Sequence, residues 1–397
     1  MKEYKYIIIG GGMTASAAVK KIRENDAEGT IAMFTEESYG PYDRPPLTKG
    51  LWNGKEIEDI VHPVEKYQVD LYLETSIEEI SHQEKWVKDQ SGEKFIYQRL
   101  LIATGGNPIK IPDTPEDVIV YRTRADYQAL RARIDGKNNI CIVGGGFVGS
   151  ELAAALTKLG KQITMIFPEI GISGLTFPDD LAQFLNDYYR EKGVNVLSGH
   201  LVQSIRKKGE KFQIAYKNTA DDFVSEDIFD EVIVGIGIKP NVELAKDAGI
   251  TVENGIVVNE FLQTNDPNIF SGGDVANFFH ISLEKRIRVE HENNALKMGA
   301  TAGQNMSGLM EKYDHFPFFY SDLFDLGYEA IGEVNKKLEI YSHWIDPFNK
   351  GVIFYLDQGK IRGLVFWNIW GKLDQGRRVI SEGKTYQKSE LADLFAE

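Results

Sequence analysis

This sequence predicts an α/β fold that carries two parallel strand-helix-strand units in one chain. Two observations carry that prediction and a third bounds it. An apolar run, three glycines and a helix-like stretch follow one another near the start of the chain. The same arrangement returns 134 residues later, counted from Gly10 to Gly144. A length of 397 residues suffices for two or three domains, each able to bury its own core.

The first unit begins with the β-rich run YKYIII at 4–9, which meets Gly10-Gly11-Gly12. A helical stretch from Thr14 to about Asn25 follows, then the strand TIAMF at 30–34. The turn fits a Rossmann-like dinucleotide fingerprint with alanine in its third small position. Gly10 turns tightly, Gly12 lets a pyrophosphate approach the backbone, and Ala15 permits close packing of helix on strand. The helix N-terminus would take the phosphates. Glu36 lies 24 residues after Gly12. It either accepts hydrogen bonds from both hydroxyls of an adenosine ribose or is a solvated carboxylate in Thr-Glu-Glu.

The second unit runs from 139 to 167: strand NICIV, turn Gly144-Gly145-Gly146-Phe147-Val148-Gly149, helix SELAAALTKL ended by Gly160, strand QITMIF. Glu169 stands 20 residues beyond Gly149. A carboxylate there favours the free 2'-hydroxyl of NADH and repels the 2'-phosphate of NADPH, unless Pro168 and Glu169 form a plain turn. Two fingerprints imply two dinucleotides, one that stays and one that exchanges.

Composition narrows the function. Hydrophobic residues at 42% and charged residues at 26% are ordinary globular values, which exclude a disordered or fibrous chain. The 45 basic and 59 acidic side chains leave a formal charge of −14, a field that repels nucleic acid and anionic lipid. Cys141 is the single cysteine, so no disulfide and no dithiol pair can form within one chain. It sits in an apolar strand and reads as a small buried hydrophobe. Seven histidines show no metal-ligand spacing, and no metal is expected. The basic start before an apolar stretch is explained better by a strand and glycine turn than by a secretory signal. No stretch reaches bilayer-spanning length, so a cytoplasmic protein without a membrane span is expected.

Beyond the fingerprints, the segment Gly40-Pro41-Tyr42-Asp43-Arg44-Pro45-Pro46-Leu47-Thr48-Lys49-Gly50-Leu51-Trp52 resembles the flavin-contacting loop of ferredoxin reductases. The likeness is greatest to the apoptosis-inducing-factor-like branch of these two-dinucleotide flavoproteins. LIATGGNP at 101–108 and VGIGIKPN at 234–241 resemble the two crossings between FAD and NAD domains. TNDPNIFSGGD at 264–274 is similar to the second FAD motif, and Val289-Glu290-His291 with NNALKMGATAGQNM resembles the segment that faces the flavin. DLGYEAIGEV at 325–334 and the stretch 351–380 resemble the C-terminal domain of the apoptosis-inducing-factor-like members. Tyr320 stands where members commonly carry tryptophan.

The resemblance implies a glutathione-reductase-like architecture: an FAD-binding domain at 1–120 and 245–324, an NAD-binding domain at 121–244, and a C-terminal α+β domain at 325–397. It implies that Gly10, Gly12, Ala15, Glu36, Arg44, Lys49, Thr104, Gly105, Asp274, Glu290 and His291 hold FAD. Arg44 would serve the phosphates, Lys49 the flavin N5 edge, Asp274 the ribityl hydroxyls. NADH would be held by Gly144, Gly146, Phe147, Val148, Gly149, Glu151, Glu169, Gly237 and Tyr320. Lys49 and Glu151 would form the catalytic pair, with Glu151 orienting the nicotinamide amide. On the residues alone, the alternatives to these roles are that Glu151 is a first-turn helix acid and Phe147 a core residue. The implied function is an FAD-dependent NADH oxidoreductase that passes electrons to a ferredoxin- or rubredoxin-like carrier, a quinone or oxygen. The alternative is a slow NADH sensor whose charge-transfer complex alters homodimerisation or partner binding.

Overall fold

A computed structural model describes residues 1–395. They form two compact units, one made of Met1–Arg44, Glu56–Asn107 and Lys239–Phe318, the other of Pro45–Lys55, Pro108–Ile238 and the chain from Phe319 onward.

The first unit is organised by a sheet in which the strands Val69–Tyr72, Ile31–Phe34, Lys2–Ile9, Lys94–Ile102 and Ile269–Ser271 run parallel. Trp86–Asp89 and Ile77–Ser81 continue it with antiparallel pairings. A parallel sheet must be covered on both faces, and the strand alternation does this. Tyr6 and Ile8 point into a core with Ala15, Ala18, Val19 and Ile22 of the helix Met13–Asn25. Ile7 and Ile9 point into a second core with Phe34, Phe95, Leu100 and Ile269. A second helix, Glu292–Met306, lies against the first at very short range. A Cβ at Gly299 would sit 2.2 Å from the Thr14 carbonyl oxygen and one at Gly303 2.4 Å from that of Ala18. Small residues on both helices are what allow this approach.

In the second unit the strands Asn195–Ser198, Gln162–Phe167, Asn139–Val143, Glu231–Val234 and Ile119–Val120 form a five-stranded parallel sheet in that order. The helix Phe147–Lys158 follows the central strand. A three-stranded antiparallel sheet, His200–Lys208, Lys211–Asn218 and Val224–Phe229, contributes Ile205, Phe212, Ile214 and Phe229 to a core shared with Val143, Ile166 and Val232. Cys141 lies in that core with no exposure, and burial pushes its thiol well above the usual range. The C-terminal part is a five-stranded sheet ordered Phe318–Leu323, Leu326–Gly332, Lys360–Trp367, Lys350–Asp357, Glu339–Asp346. The helix Leu373–Ser381 packs Gly376 against Phe366 and Ile331 of that sheet. The α/β class with a C-terminal α+β portion is therefore as the sequence predicts. Among the described residues no helix is long and apolar enough to cross a membrane.

Candidate functional site

In each unit the glycine turn is built by the same physical device. Gly10 has φ +116° and Gly144 φ +121°, values that L side chains rarely adopt. Each also leaves no room for a side chain, since a Cβ would lie 2.1 Å from the Ala103 oxygen or 2.3 Å from that of Gly235. Gly12 and Gly146 differ from these. Their φ values of −96° and −81° are open to any residue, yet an added Cβ would meet nothing within 4 Å. Both are helix N-caps with no side-chain cap and no acid in the first helical turn. Each unit thus presents a bare, positively polarised helix N-terminus behind a side-chain-sized opening, which fits an approaching pyrophosphate. Ala15 is fully buried at the third small position, and Gly149 fills the same role where a Cβ would strike the Gly144 oxygen at 2.1 Å.

Around the first cradle the structure gathers most of the FAD residues expected from sequence. Gly273, with φ +77°, abuts Thr14, which sets Asp274 beside the first turn of the helix Met13–Asn25. Burial opposes the charge on Arg44, but Tyr42, Glu37 and Asp274 outweigh it and hold the guanidinium above its usual range. Arg44 pairs with Glu37 at 2.6 Å, and Glu37 also accepts from the Tyr42 hydroxyl at 2.5 Å. His291, N-cap of the helix Glu292–Met306, also faces Asp274; burial lowers its pKa to about 4 against that charge, leaving a neutral imidazole. Glu36 is exposed just past the strand Ile31–Phe34 and accepts from Ser76 at 3.1 Å. Glu290 pairs with Arg288, which also donates to the Asp274 carbonyl oxygen. The Thr104 hydroxyl donates to the Asn241 oxygen and Asn241 N–H to the Gly105 oxygen, so this turn is fastened to the backbone of Asn241.

Sequence reasoning missed Glu37 and a clasp behind Arg44. His62 joins Ser16 Oγ at 2.7 Å through Nδ1 and Asp43 at 2.7 Å through Nε2. Asp43 precedes Arg44, so this histidine ties the Pro-rich loop to the fingerprint helix. The Ser16 hydroxyl is also within reach of the Met13 oxygen, so it holds the first turn of that helix at the same time.

The second unit places Lys49 beside Glu151. Residues 45–55 form two short 3-10 turns, Pro45–Thr48 and Gly50–Asn53, seated by Leu47, Leu51 and Trp52, all buried. Tyr121 and Tyr127 donate to the Leu47 and Leu51 carbonyl oxygens, and the Tyr127 ring meets Trp52 edge-on at 5.0 Å. Lys49 Nζ then lies 3.0 Å from Glu151 Oε1 and 4.7 Å from the centre of the Tyr320 ring. Glu151 also accepts from Thr48 Oγ1 at 2.5 Å and Ser321 Oγ at 2.6 Å, neither of which the sequence singled out. Because the helix begins at Phe147, Glu151 lies past its first turn, and the reading as a first-turn acid does not hold. Phe147 meets Phe319 at 5.4 Å rather than sinking into the sheet core. Val148 packs beside Gly235. Glu169 follows the strand Gln162–Phe167, and the loop after it returns to the turn through Ser173 N–H to the Gly145 oxygen. Gly237, at φ +103°, accepts from Ile109 N–H. Among the described residues no group of His, Cys, Asp and Glu is arranged to hold a metal ion.

Comparisons with known proteins agree with this geometry. The family described as "Pyridine nucleotide-disulphide oxidoreductase" matches residues 4–299, and "Apoptosis-inducing factor, mitochondrion-associated, C-term" matches 341–382. "Apoptosis-inducing factor 1, mitochondrial" of Dictyostelium discoideum is 34% identical over 98% of this chain and 80% of its own. The anthranilate 1,2-dioxygenase system ferredoxin–NAD(+) reductase component of Burkholderia cepacia is 30% identical over 98% of this chain and 97% of its own. Among solved structures, the covalent putidaredoxin reductase–putidaredoxin complex superposes with a TM-score of 0.89 at 25% identity, covering 99% of this chain and 96% of that one.

Proposed function

Because the chain belongs to the pyridine nucleotide-disulphide oxidoreductase family, with FAD and NAD(H) as cofactors, we propose that it is a reductase that draws electrons from NADH and delivers them to a small ferredoxin- or rubredoxin-like carrier protein. The observation that carries this reading is the pair of bare helix N-termini, one in each unit, each behind a glycine whose missing side chain leaves open space. When bound, NADH supplies a hydride and FAD accepts it and releases electrons onward.

This chain's residues bind, orient and set charge. The Gly12 N-terminus and Arg44 would take the FAD pyrophosphate, Glu36 the adenosine ribose hydroxyls and Asp274 the ribityl hydroxyls. The N-terminus of the helix after His291 would lie towards the negative charge of reduced flavin. The Gly146 N-terminus would take the NADH pyrophosphate. Glu169 would accept from its ribose, and its charge disfavours a 2'-phosphate, which is the basis for proposing NADH over NADPH. Phe147 and Tyr320 would border the nicotinamide, Glu151 would hold its amide, and Lys49 would present the cation needed where electron density arrives. The sole cysteine is buried, so the acceptor is external.

Anaerobic mixing of the FAD-loaded protein with NADH, followed by flavin absorbance, tests the reading. Fast bleaching, quick reoxidation by a carrier protein and at least about tenfold preference for NADH over NADPH support it. Slow bleaching with a lasting long-wavelength band, unaffected by any carrier, would overturn the reductase in favour of an NADH sensor.

A further inference from the structure

The Glu151 carboxylate is 8% exposed, yet Lys49 is only one of three donors to it. Oε1 accepts from Lys49 and Ser321, and Oε2 accepts from Thr48. Ser321 is itself 1% exposed and belongs to the strand Phe318–Leu323, 170 residues away in sequence. A simple buried ion pair is fragile, because withdrawing one partner leaves an uncompensated charge. Here two neutral hydroxyls, those of Thr48 and Ser321, donate to the carboxylate beside the ammonium. Lys49 has a second attachment as well, the ring and carbonyl oxygen of Tyr320.

We propose that Ser321 is a positioning residue that holds the Glu151 carboxylate in place independently of Lys49 and fixes which of its oxygens is left open to a bound nicotinamide amide. The strand Phe318–Leu323 thereby contributes a hydroxyl to the Glu151 carboxylate. A carboxylate offers about four acceptor positions. With two taken on Oε1 and one on Oε2, a single position on Oε2 remains for the nicotinamide amide, so Ser321 also decides which oxygen meets the substrate. Around the carboxylate stand Lys49 from the Pro-rich loop, Tyr189 from the helix Asp179–Glu191 and Tyr328 from the neighbouring strand, both phenols held above their usual range by burial and then by the Glu151 charge.

The inference rests on the function proposed above in naming the nicotinamide amide as what meets the open position on Glu151. It is tested by a double-mutant cycle on the FAD-loaded protein, combining Lys49→Met with Ser321→Ala and reading thermal unfolding and NAD+ binding by calorimetry. With Ser321 present, Lys49→Met is expected to lower Tm by about 2 °C, and in Ser321→Ala by about 6 °C or more, since the carboxylate then keeps one donor. Ser321→Ala should weaken NAD+ binding about tenfold and Ser321→Thr should restore it. Additive Tm losses, or failure of Ser321→Thr to restore binding, would overturn the proposal. Because unfolding is read without NADH, a wild-type protein that NADH fails to reduce would defeat the proposed function while the cycle still decides the role of Ser321.

Discussion

A methyl group added at Gly146 would meet no atom within 4 Å, while one added at Gly149 would sit 2.1 Å from the Gly144 oxygen. The same motif therefore contains glycines of opposite consequence. Gly146→Ala and Gly12→Ala should leave Tm unchanged and weaken their dinucleotide by tenfold or more, because the added methyl occupies ligand space. Gly149→Ala should cost about 1–3 kcal/mol of stability, measured by urea unfolding, because backbone must move. Equal stability losses at Gly146 and Gly149 would contradict this division. At Glu151, replacement by glutamine removes the negative partner of Lys49 and is expected to slow flavin reduction by about 10–100-fold in stopped-flow absorbance. The sequence pointed to Glu151 and Lys49 through motif position. It was silent on Thr48 and Ser321, since a hydroxyl becomes informative only when folding brings it onto a carboxylate.

Regular elements were legible to the extent that their apolar period was unbroken. The strands NICIV and QITMIF coincide with Asn139–Val143 and Gln162–Phe167 because each is a buried run bounded by polar or glycine residues. The second fingerprint helix starts at Phe147, three residues ahead of the stretch read as helical, because a glycine N-cap carries no side-chain signal. The 3-10 turns at 45–53 have no period to read, and their seating depends on tyrosines more than 65 residues away. That seating yields a prediction for the element. Tyr121→Phe loses one hydroxyl bond to the Leu47 oxygen and should cost about 1 kcal/mol, with faster proteolysis inside 45–55. A cleavage rate equal to wild type would show that the bond is dispensable. For the helix pair, Gly299→Ala would press on the Thr14 carbonyl oxygen, so stability and FAD retention should fall together. Loss of stability with FAD retained would separate the helix contact from the cradle.

Across the whole chain, acid should act in two stages. His291 has a folded pKa of about 4 against 6.5 unfolded, so the unfolded chain takes up a proton between these values and stability falls as pH drops through that window. The slope is at most about 1.4 kcal/mol per pH unit. Asp230 is held at about 2 by Lys211 and the Asn139 and Asn138 amides, and Asp26 still lower by Lys5 and Tyr6. Their contribution is complete above the ordinary aspartate range and is lost only as pH falls below about 4. His291→Gln should therefore flatten the Tm profile between pH 6.5 and 4 while leaving the steeper loss below 4; an unchanged profile would assign the first stage to other groups. The single cysteine gives this molecule one more property. Cys141 lies on the central strand of the second unit with no exposure, so a small alkylating reagent reaches it only when that strand comes open. Each molecule thus holds one covalent timer, read by mass spectrometry as a single added group, and NAD+ bound to the closed form should slow it by the factor 1 + [NAD+]/Kd.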